Sequence, residues 1–342
     1  MISKSRKVCF CGPTRFKLAQ EVLHKSGCEL VLGRNVDDFP SFRYEKREFI
    51  RLIGDSDILF GSGRDVIGGD ILDSCDRLQA VVKSSIGIEN VDVDAATELG
   101  ILVCNSPTPE NYMGVAEATV GFMVALFKRL KFNEAHLRTG GWKEPQNRGA
   151  LMMRKTIGII GLGRIGREVA KRLGPWSMRL VGYDPYVAQE TVAPLGVERL
   201  GMHQLLREAD LVTIHVVLTK ETRHMIGLRE LKMMKSTAYL VNTSRGAVCH
   251  EADLIQALNE GVIAGAALDV FEPEPLPLAS ELREVDPTRL IMTPHIIGNN
   301  PGSLDAGQRM AAESILSILE GRAPDTVVNP KAIERWKQRF WT

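Results

Sequence analysis

The chain has 342 residues, of which 44% are hydrophobic and 25% charged, the balance of a globular protein large enough for two domains. With 43 basic and 42 acidic side chains its formal net charge is +1, which gives no electrostatic footprint for a nucleic acid or an anionic membrane. No apolar run is long enough to cross a bilayer, and the 6 cysteines show no CxxC pair or metal-ligand spacing. We therefore expect a cytoplasmic protein with reduced thiols and no metal site.

The first third of the chain alternates short β-branched runs with amphipathic segments, a pattern typical of a parallel sheet covered by helices. Strands are predicted at Lys7–Gly12, Cys28–Gly33, Asp57–Gly61, Leu78–Ser84 and Ile101–Asn105. Helices are predicted at Phe16–Lys25, Phe42–Ile53 and Val93–Leu99. Five strands within about 105 residues favour a flavodoxin-like domain.

Beyond Pro107 and Pro109 the pattern changes, and apolar residues at helical spacing predict one long helix over Tyr112–Leu130. A second series of strands and helices then begins with a strand at Thr156–Ile160. Its later strands are predicted at Arg179–Tyr183, Asp210–Val216, Thr237–Asn242, Val262–Leu268 and Leu290–Thr293. Six strands with intervening helices match a dinucleotide-binding sheet. A last amphipathic helix, Ser303–Leu319, is expected to return to the first domain.

The predicted fold class is therefore α/β, with two Rossmann-like domains. A flavodoxin-like substrate-binding domain would comprise residues 1–111 and 301–342, and a dinucleotide-binding Rossmann domain would comprise residues 112–300. The long helix and the segment Leu137–Trp142 are suited to a contact between subunits.

A glycine motif follows the first strand of the second series. Gly161, Gly163 and Gly166 form a GxGxxG pattern that opens a predicted helix at Arg164–Leu173. Such glycines allow a tight turn, a close approach of the backbone to a pyrophosphate, and close packing of the helix against the sheet. Asp184 ends the next strand, where a carboxylate can bind both adenosine-ribose hydroxyls and repel a 2′-phosphate. The pattern predicts NAD in preference to NADP, and its plain alternative is an ordinary strand–helix turn.

Three polar features follow later strands of this series, where ligands bind in open α/β sheets. The fork of Arg245 suits a substrate carboxylate, although a lone arginine more often forms a surface salt bridge. The acidic segment Asp269–Pro275, taken by itself, is compatible with an ordinary solvated loop. His295, taken by itself, is compatible with a histidine that has only a structural role. Together they supply what the reduction of a keto acid requires: a cation for the carboxylate, a proton donor, and an acid that raises the pKa of that donor.

These features resemble the D-isomer-specific 2-hydroxyacid dehydrogenase family. The matching stretches, in the family's order, are Gly158–Gly166, Leu240–Gly246, Gly265–Leu276 and Thr293–His295. The resemblance implies an NAD-dependent enzyme that interconverts a small D-2-hydroxy acid and its 2-keto acid. Arg245 would bind the substrate, and His295 would donate the proton in reduction with Glu274 as its partner. Family resemblance also implies a homodimer.

The same resemblance implies two sets of binding residues. The NAD site would be lined, by side chain or backbone, by Gly161, Gly163, Arg164, Ile165, Gly166, Asp184, Val216, Thr243, Ser244 and Asp269. The substrate would be bound by Arg245 and by backbone N–H groups of Ser85, Ile86 and Gly87. The sequence departs from the family's usual arginine and small residues over Lys83–Ile86, which leaves the identity of the substrate open.

The same fold also serves other functions. Formate oxidation is disfavoured, because the formate enzymes that the chain resembles carry glutamine where Glu274 stands. Phosphite oxidation uses a similar arrangement and stays open. Phosphoglycerate dehydrogenase activity also stays open, although the chain ends near Thr342 and would leave no room for a C-terminal regulatory domain. A non-catalytic, NAD-sensing protein like the corepressors of this fold would keep the same residues, but it would need a partner-binding groove.

Overall fold

The computed structural model describes residues 6–12, 16–34, 43–61 and 65–341. The strands of the described residues are β1 (Lys7–Phe10), β2 (Glu29–Leu32), β3 (Ile58–Phe60), β4 (Ala80–Val82), β5 (Leu102–Cys104), β6 (Thr156–Ile160), β7 (Arg179–Tyr183), β8 (Val197–Arg199), β9 (Leu211–Ile214), β10 (Tyr239–Asn242), β11 (Gly265–Leu268) and β12 (Leu290–Met292). Their α-helices are α1 (Lys17–Lys25), α2 (Lys46–Ile53), α3 (Gly69–Leu72), α4 (Val93–Glu98), α5 (Pro109–Phe127), α6 (Leu130–Arg138), α7 (Arg164–Leu173), α8 (Gln189–Val192), α9 (Met202–Glu208), α10 (Leu228–Leu231), α11 (Glu251–Asn259), α12 (Pro301–Leu319) and α13 (Ile333–Phe340). The chain divides into two compact units, Met1–Asn111 with Pro301–Thr342, and Tyr112–Asn300.

The first unit is built on a parallel sheet whose described strands run in the order β2-β1-β3-β4-β5, the flavodoxin-like order. Strands β3, β4 and β5 are buried along their whole length, as expected of strands covered on both faces. Helices α1, α12 and α13 pack on one face, and α2, α3 and α4 pack on the other. The unit is therefore doubly wound around a central sheet.

The second unit contains a parallel sheet with the order β12-β11-β10-β9-β6-β7-β8 among the described strands. Numbered from β6, this is the Rossmann order 3-2-1-4-5-6 with β12 added beyond β11. Helices α9 and α11 contribute to the core on one face, and α5 and α7 contribute to the core on the other. The predicted fold class, α/β with two Rossmann-like domains, is confirmed.

The prediction of six strands in the second series is wrong, because the described residues include β8 as a seventh. This strand has three residues at the edge of the sheet, and only Val197 among them is buried. So short a segment carries no alternating apolar pattern, and its pairing with β7 is what makes it a strand.

The predicted helix Tyr112–Leu130 is also wrong at both ends. Helix α5 starts with Pro109, since proline is tolerated in the first turn of a helix. It ends before Arg129, whose backbone is left-handed with φ of 52°. The guanidinium of Arg129 lies 4.4 Å from the ring centre of Phe132 and donates to the Gln146 carbonyl at 2.7 Å. Contacts made after the chain turns therefore decide where α5 stops.

Most other predicted elements are present with shorter strands. The three longest predicted strands, of seven residues each, shorten to β4, β9 and β11, because only three or four residues of each pair with neighbouring strands. In the predicted helix Phe42–Ile53, Phe42 lies outside the described residues, and α2 begins at Lys46.

Within the part of the chain that is described, no helix combines the length and apolarity needed to span a membrane, and no cluster of three or more potential ligand side chains is placed to hold a metal ion. All 6 cysteines are buried.

Trp336 in α13 offers a test of the first unit's core. Its side chain is fully buried, and its indole N–H has no hydrogen-bond partner among the described residues. We expect Trp336→Ala to lower the free energy of unfolding by about 3–5 kcal/mol, because it leaves a large cavity. Trp336→Phe should cost clearly less, since the N–H that it removes is unpaired. Urea unfolding followed by far-UV circular dichroism measures both, and equal losses would contradict this account of the core.

Candidate active site

The glycine motif lies at the carboxyl end of β6. Gly161 has φ of 91°, and a Cβ there would lie 2.7 Å from the carbonyl carbon of His215. A Cβ on Gly166 would lie 2.0 Å from the carbonyl oxygen of Gly161, so helix and loop pack in direct backbone contact. A Cβ on Gly163, the residue that precedes α7, would meet nothing within 4 Å. The loop thus presents open backbone and the positive end of a ten-residue helix on one side, which suits a pyrophosphate.

Asp184 follows β7 beside this loop. One carboxylate oxygen accepts from the backbone N–H of Leu162 at 2.9 Å, and the other accepts from that of Tyr186 at 2.9 Å. These bonds fix the carboxylate against the glycine motif, with lone pairs left for a ligand's hydroxyl groups. Glycine loop, helix and acid together fit a dinucleotide.

His295 and Glu274 form a hydrogen-bonded pair beyond β12 and β11. Nδ1 of His295 lies 2.7 Å from Oε2 of Glu274, and Oε1 of Glu274 accepts from the backbone N–H of Phe271 at 3.0 Å. The hydrogen bond that Glu274 accepts from His295 is the main cause that raises the pKa of His295 above its ordinary value. Burial opposes ionisation of Glu274, but the bond and charge of His295 hold the pKa of Glu274 below its usual range. The pair therefore favours a charged imidazole beside a charged carboxylate.

Asp269, at the end of β11, holds the segment that carries His295. It accepts from the hydroxyl of Thr293 at 2.5 Å and from the backbone N–H of Ile296 at 3.0 Å. Burial raises the pKa of Asp269 against these hydrogen bonds. His295 itself has φ of 51°, a left-handed conformation that bonds on both sides of the residue help to maintain.

Arg245 follows β10 and acts on the same pair. Its Nη1 donates to the neighbouring Ser244 carbonyl at 2.6 Å. The charge of Arg245 contributes to lowering the pKa of both His295 and Glu274, so the three side chains share one electrostatic environment. A Cβ on Gly246 would lie 2.0 Å from the carbonyl carbon of Phe271, which locks the Arg245 loop against the Glu274 loop.

Two residues that the sequence analysis did not single out shape these loops. Asn242, at the end of β10, accepts from the Ser244 N–H at 3.0 Å and donates to the Arg245 carbonyl at 2.9 Å. A polar residue closing an apolar strand is the signal that could have identified Asn242.

His215 follows β9, where burial lowers the pKa of its imidazole to about 3, so this ring is neutral beside the glycine motif.

The remaining predicted cofactor residues occupy the same edge of the sheet. Thr243 is buried and pairs with the hydroxyl of Thr119 at 3.0 Å, and the Ser244 hydroxyl donates to Asn242 at 2.8 Å. Their side chains are thus engaged within the unit. Arg164 is exposed at the first turn of α7, whereas Ile165 and Val216 pack partly against the core.

The predicted substrate loop belongs to the first unit, where it follows β4. The carbonyl of Ser85 accepts from the Ser106 N–H at 3.0 Å, and that of Ile86 accepts from the Asn105 side chain at 2.9 Å. The N–H groups of Ser85, Ile86 and Gly87 donate to no other described residue. The carbonyl groups of Ser85 and Ile86 therefore anchor the loop within the first unit.

Fold and site together are those of a dinucleotide-binding oxidoreductase, with a hydrogen-bonded histidine and glutamate after the last two strands. The family model "D-isomer specific 2-hydroxyacid dehydrogenase, NAD binding domain" matches residues 120–296. The chain belongs to this family, as the sequence analysis predicted, and its cofactor is a nicotinamide dinucleotide.

Several similar proteins carry names from this family. The chain is 38% identical over 319 residues to a glyoxylate reductase of Thermofilum pendens, covering 91% of each chain. It is 38% identical over 293 residues to a D-3-phosphoglycerate dehydrogenase of Methanocaldococcus jannaschii, covering 85% of this chain but only 55% of that protein. The solved D-lactate dehydrogenase of Aquifex aeolicus, complexed with NAD and lactic acid, superposes with a TM-score of 0.80 at 26% identity, over 96% of this chain and 98% of that one.

Two glycine substitutions separate cofactor binding from folding. We expect Gly163→Ala to keep the wild-type melting temperature and to weaken NADH binding at least tenfold, because its methyl group enters only the open side of the loop. Gly166→Ala should lower the melting temperature as well, since its methyl group meets the Gly161 carbonyl. NADH fluorescence titration and thermal unfolding measure the two effects. Unchanged NADH affinity in Gly163→Ala would rule out this loop as the pyrophosphate site.

Proposed function

We propose that this protein interconverts a small 2-keto acid and its D-2-hydroxy acid, with NADH supplying the hydride in reduction. The observation that carries the proposal is the 2.7 Å hydrogen bond between His295 and Glu274, within the electrostatic reach of Arg245 and on the sheet edge that holds the glycine motif. Hydride transfer to a keto acid requires a proton donor and a cation at this place.

His295 is the proposed proton donor in reduction and acceptor in oxidation. Its Nδ1 is occupied by Glu274, which leaves Nε2 for the substrate oxygen. Glu274 favours the imidazolium, and the side chain of His295 stays 49% exposed, so a substrate can reach it. The proton donor therefore remains charged at a higher pH than an isolated histidine would.

Arg245 is the proposed anchor of the substrate carboxylate. A guanidinium offers a planar fork to a carboxylate, and its charge polarises an adjacent carbonyl. The N–H groups of Ser85, Ile86 and Gly87 are proposed as further donors to the substrate, supported by their lack of a described partner. Asp269 and Asp184 are assigned to the nicotinamide and adenosine ends of the NAD site, and Asp184 favours NAD over NADP through its charge.

A glyoxylate-sized keto acid is the substrate that the relatives favour. Glyoxylate reductases of Thermofilum pendens and Korarchaeum cryptofilum match along 91% and 87% of their own length, at 38% and 36% identity. The D-3-phosphoglycerate dehydrogenases, at 32–38% identity, are matched along little more than half of their length and keep a phosphorylated hydroxy acid open as a second class of substrate. We also propose a homodimer in the cytoplasm, supported by the exposed apolar side chains of Leu130, Leu137 and Trp142 and by six buried thiols.

A substrate panel tests the function. We expect glyoxylate or hydroxypyruvate to give the highest kcat/KM with NADH among small and large keto acids, and phosphite with NAD to give none. Arg245→Lys should reduce kcat/KM by at least about a hundredfold, because a point charge cannot reproduce the bidentate fork. Turnover of phosphite alone would replace the proposal by phosphite oxidation, and NADH binding without any turnover would favour a sensor protein.

The pH profile tests the acid–base pair. Reduction requires protonated His295, and Glu274 raises the pKa of that imidazole, so activity persists to higher pH in the wild type. In Glu274→Gln the alkaline limb of kcat/KM should move to lower pH, as the raised pKa relaxes. Glu281→Gln, a change at an exposed acid in the following segment, is the matched control and should leave the limb in place. An unmoved limb in Glu274→Gln would contradict the pairing.

A further inference from the structure

His224 joins two of the loops that carry the proposed catalytic groups. It lies between β9 and α10 with φ of 53°, in the left-handed region that histidine tolerates better than most side chains. Its backbone N–H donates to the Ala247 carbonyl at 2.7 Å, two residues beyond Arg245. Its Nε2 lies 2.6 Å from Oε2 of Glu272, two residues before Glu274. One residue thus binds the Arg245 loop through its backbone and the Glu274 loop through its side chain.

Glu272 is held from three directions. Oε1 pairs with Nη1 of Arg223 at 2.5 Å, while Oε2 pairs with His224. Its backbone N–H donates to the carboxylate of Glu251 at 3.4 Å, at the start of α11. Burial would raise the pKa of Glu272, but the bonds from His224 and Arg223 hold it below its ordinary value. The carboxylate is therefore charged and fixed at both oxygens.

Stability alone does not explain this arrangement. The side chains of His224 and Glu272 are 39% and 33% exposed, and ion pairs so open to solvent contribute little to folding. A left-handed backbone at a non-glycine residue also carries strain, which persists where the surroundings over-determine it. His224 is therefore a strained residue whose ion pair adds little to stability. Because it contacts both loops that carry proposed catalytic groups, it is suited to fixing the position of these loops.

We propose that His224 is a positioning residue for the acid–base pair, an inference that rests on the proposed function. By binding Ala247 and Glu272 it sets the distance between the Arg245 loop and the Glu274 loop, and so the alignment of Glu274 with His295. Phe271, whose backbone N–H donates to Glu274 and whose carbonyl group lies against Gly246, is a second connection between the same loops.

The test breaks the side-chain bond while sparing the backbone. Asparagine tolerates a left-handed conformation but is too short to reach Glu272, so His224→Asn removes the tie alone. Its matched control is His203→Asn, at an exposed histidine on α9. Glu272→Ala and the double variant complete a cycle, because residues that act through one another give a double variant no worse than the worse single one.

We expect His224→Asn to lose about tenfold in kcat for keto-acid reduction, with unchanged NADH affinity and melting temperature, because small misplacements of catalytic groups are costly. The pKa of His295, read by NMR titration without substrate, should fall. The substitution also removes a hydrogen-bond partner from the carboxylate of Glu272, whose negative charge would then act more strongly and by itself raise the pKa of His295, so the direction of the change separates repositioning from simple electrostatics. The double variant should match the single ones.

Three results decide between the outcomes. A wild-type kcat with an unmoved or raised pKa of His295 in His224→Asn overturns the positioning role. Additive losses of kcat in the double variant also overturn the positioning role, since they would show that His224 and Glu272 act independently. A lowered pKa of His295 in a protein that reduces no keto acid supports the positioning role and rejects the proposed function, so the two failures are distinguishable.

Discussion

His295 and Glu274 are 21 residues apart in the chain, yet their side chains meet at 2.7 Å, and the proposed chemistry of the site depends on that contact. The parallel sheet makes this contact possible, because the carboxyl ends of all its strands lie along the same side of the sheet. Residues following β10, β11 and β12 thereby come together although helices and loops separate them along the chain. A sheet built of antiparallel hairpins would send alternate strand ends to opposite edges.

The electrostatics around His295 are balanced by opposing charges. Glu274 is the main group that raises its pKa, Asp269 adds to the increase, and burial and Arg245 oppose it. Arg245 would serve the substrate's carboxylate, so its unfavourable effect on the imidazolium is the consequence of placing an anion anchor next to a proton donor. Glu274 offsets that effect, which gives the acid a role distinct from the orientation of the ring.

Backbone contact, more than side-chain packing, sets the precision of the loops. Gly246 against Phe271 and Gly161 against His215 each leave no space for a Cβ, so the neighbouring segments cannot shift independently. Asn242 and Asp269 complete the arrangement by binding backbone groups of the segments that carry Arg245 and His295. Polar residues at strand ends therefore act mainly on backbone here, and through it on the reacting side chains.

Much of the fold and site was predictable from local patterns. Apolar runs separated by amphipathic segments, a glycine motif directly after a strand, and polar residues where strands end are features that neighbouring residues determine, and they led to the family and to Arg245, Glu274 and His295. Three features depended on contacts between segments that are apart in the chain: edge strand β8, the turn at Arg129 that follows α5, and the bond from His224 to Glu272. A three-residue strand has no periodicity of its own, and the sequence around Arg129 does not show that its side chain binds the carbonyl of Gln146, 17 residues further on. The partner of a surface histidine is decided only when 48 residues of chain have folded back, so tertiary structure alone determined it.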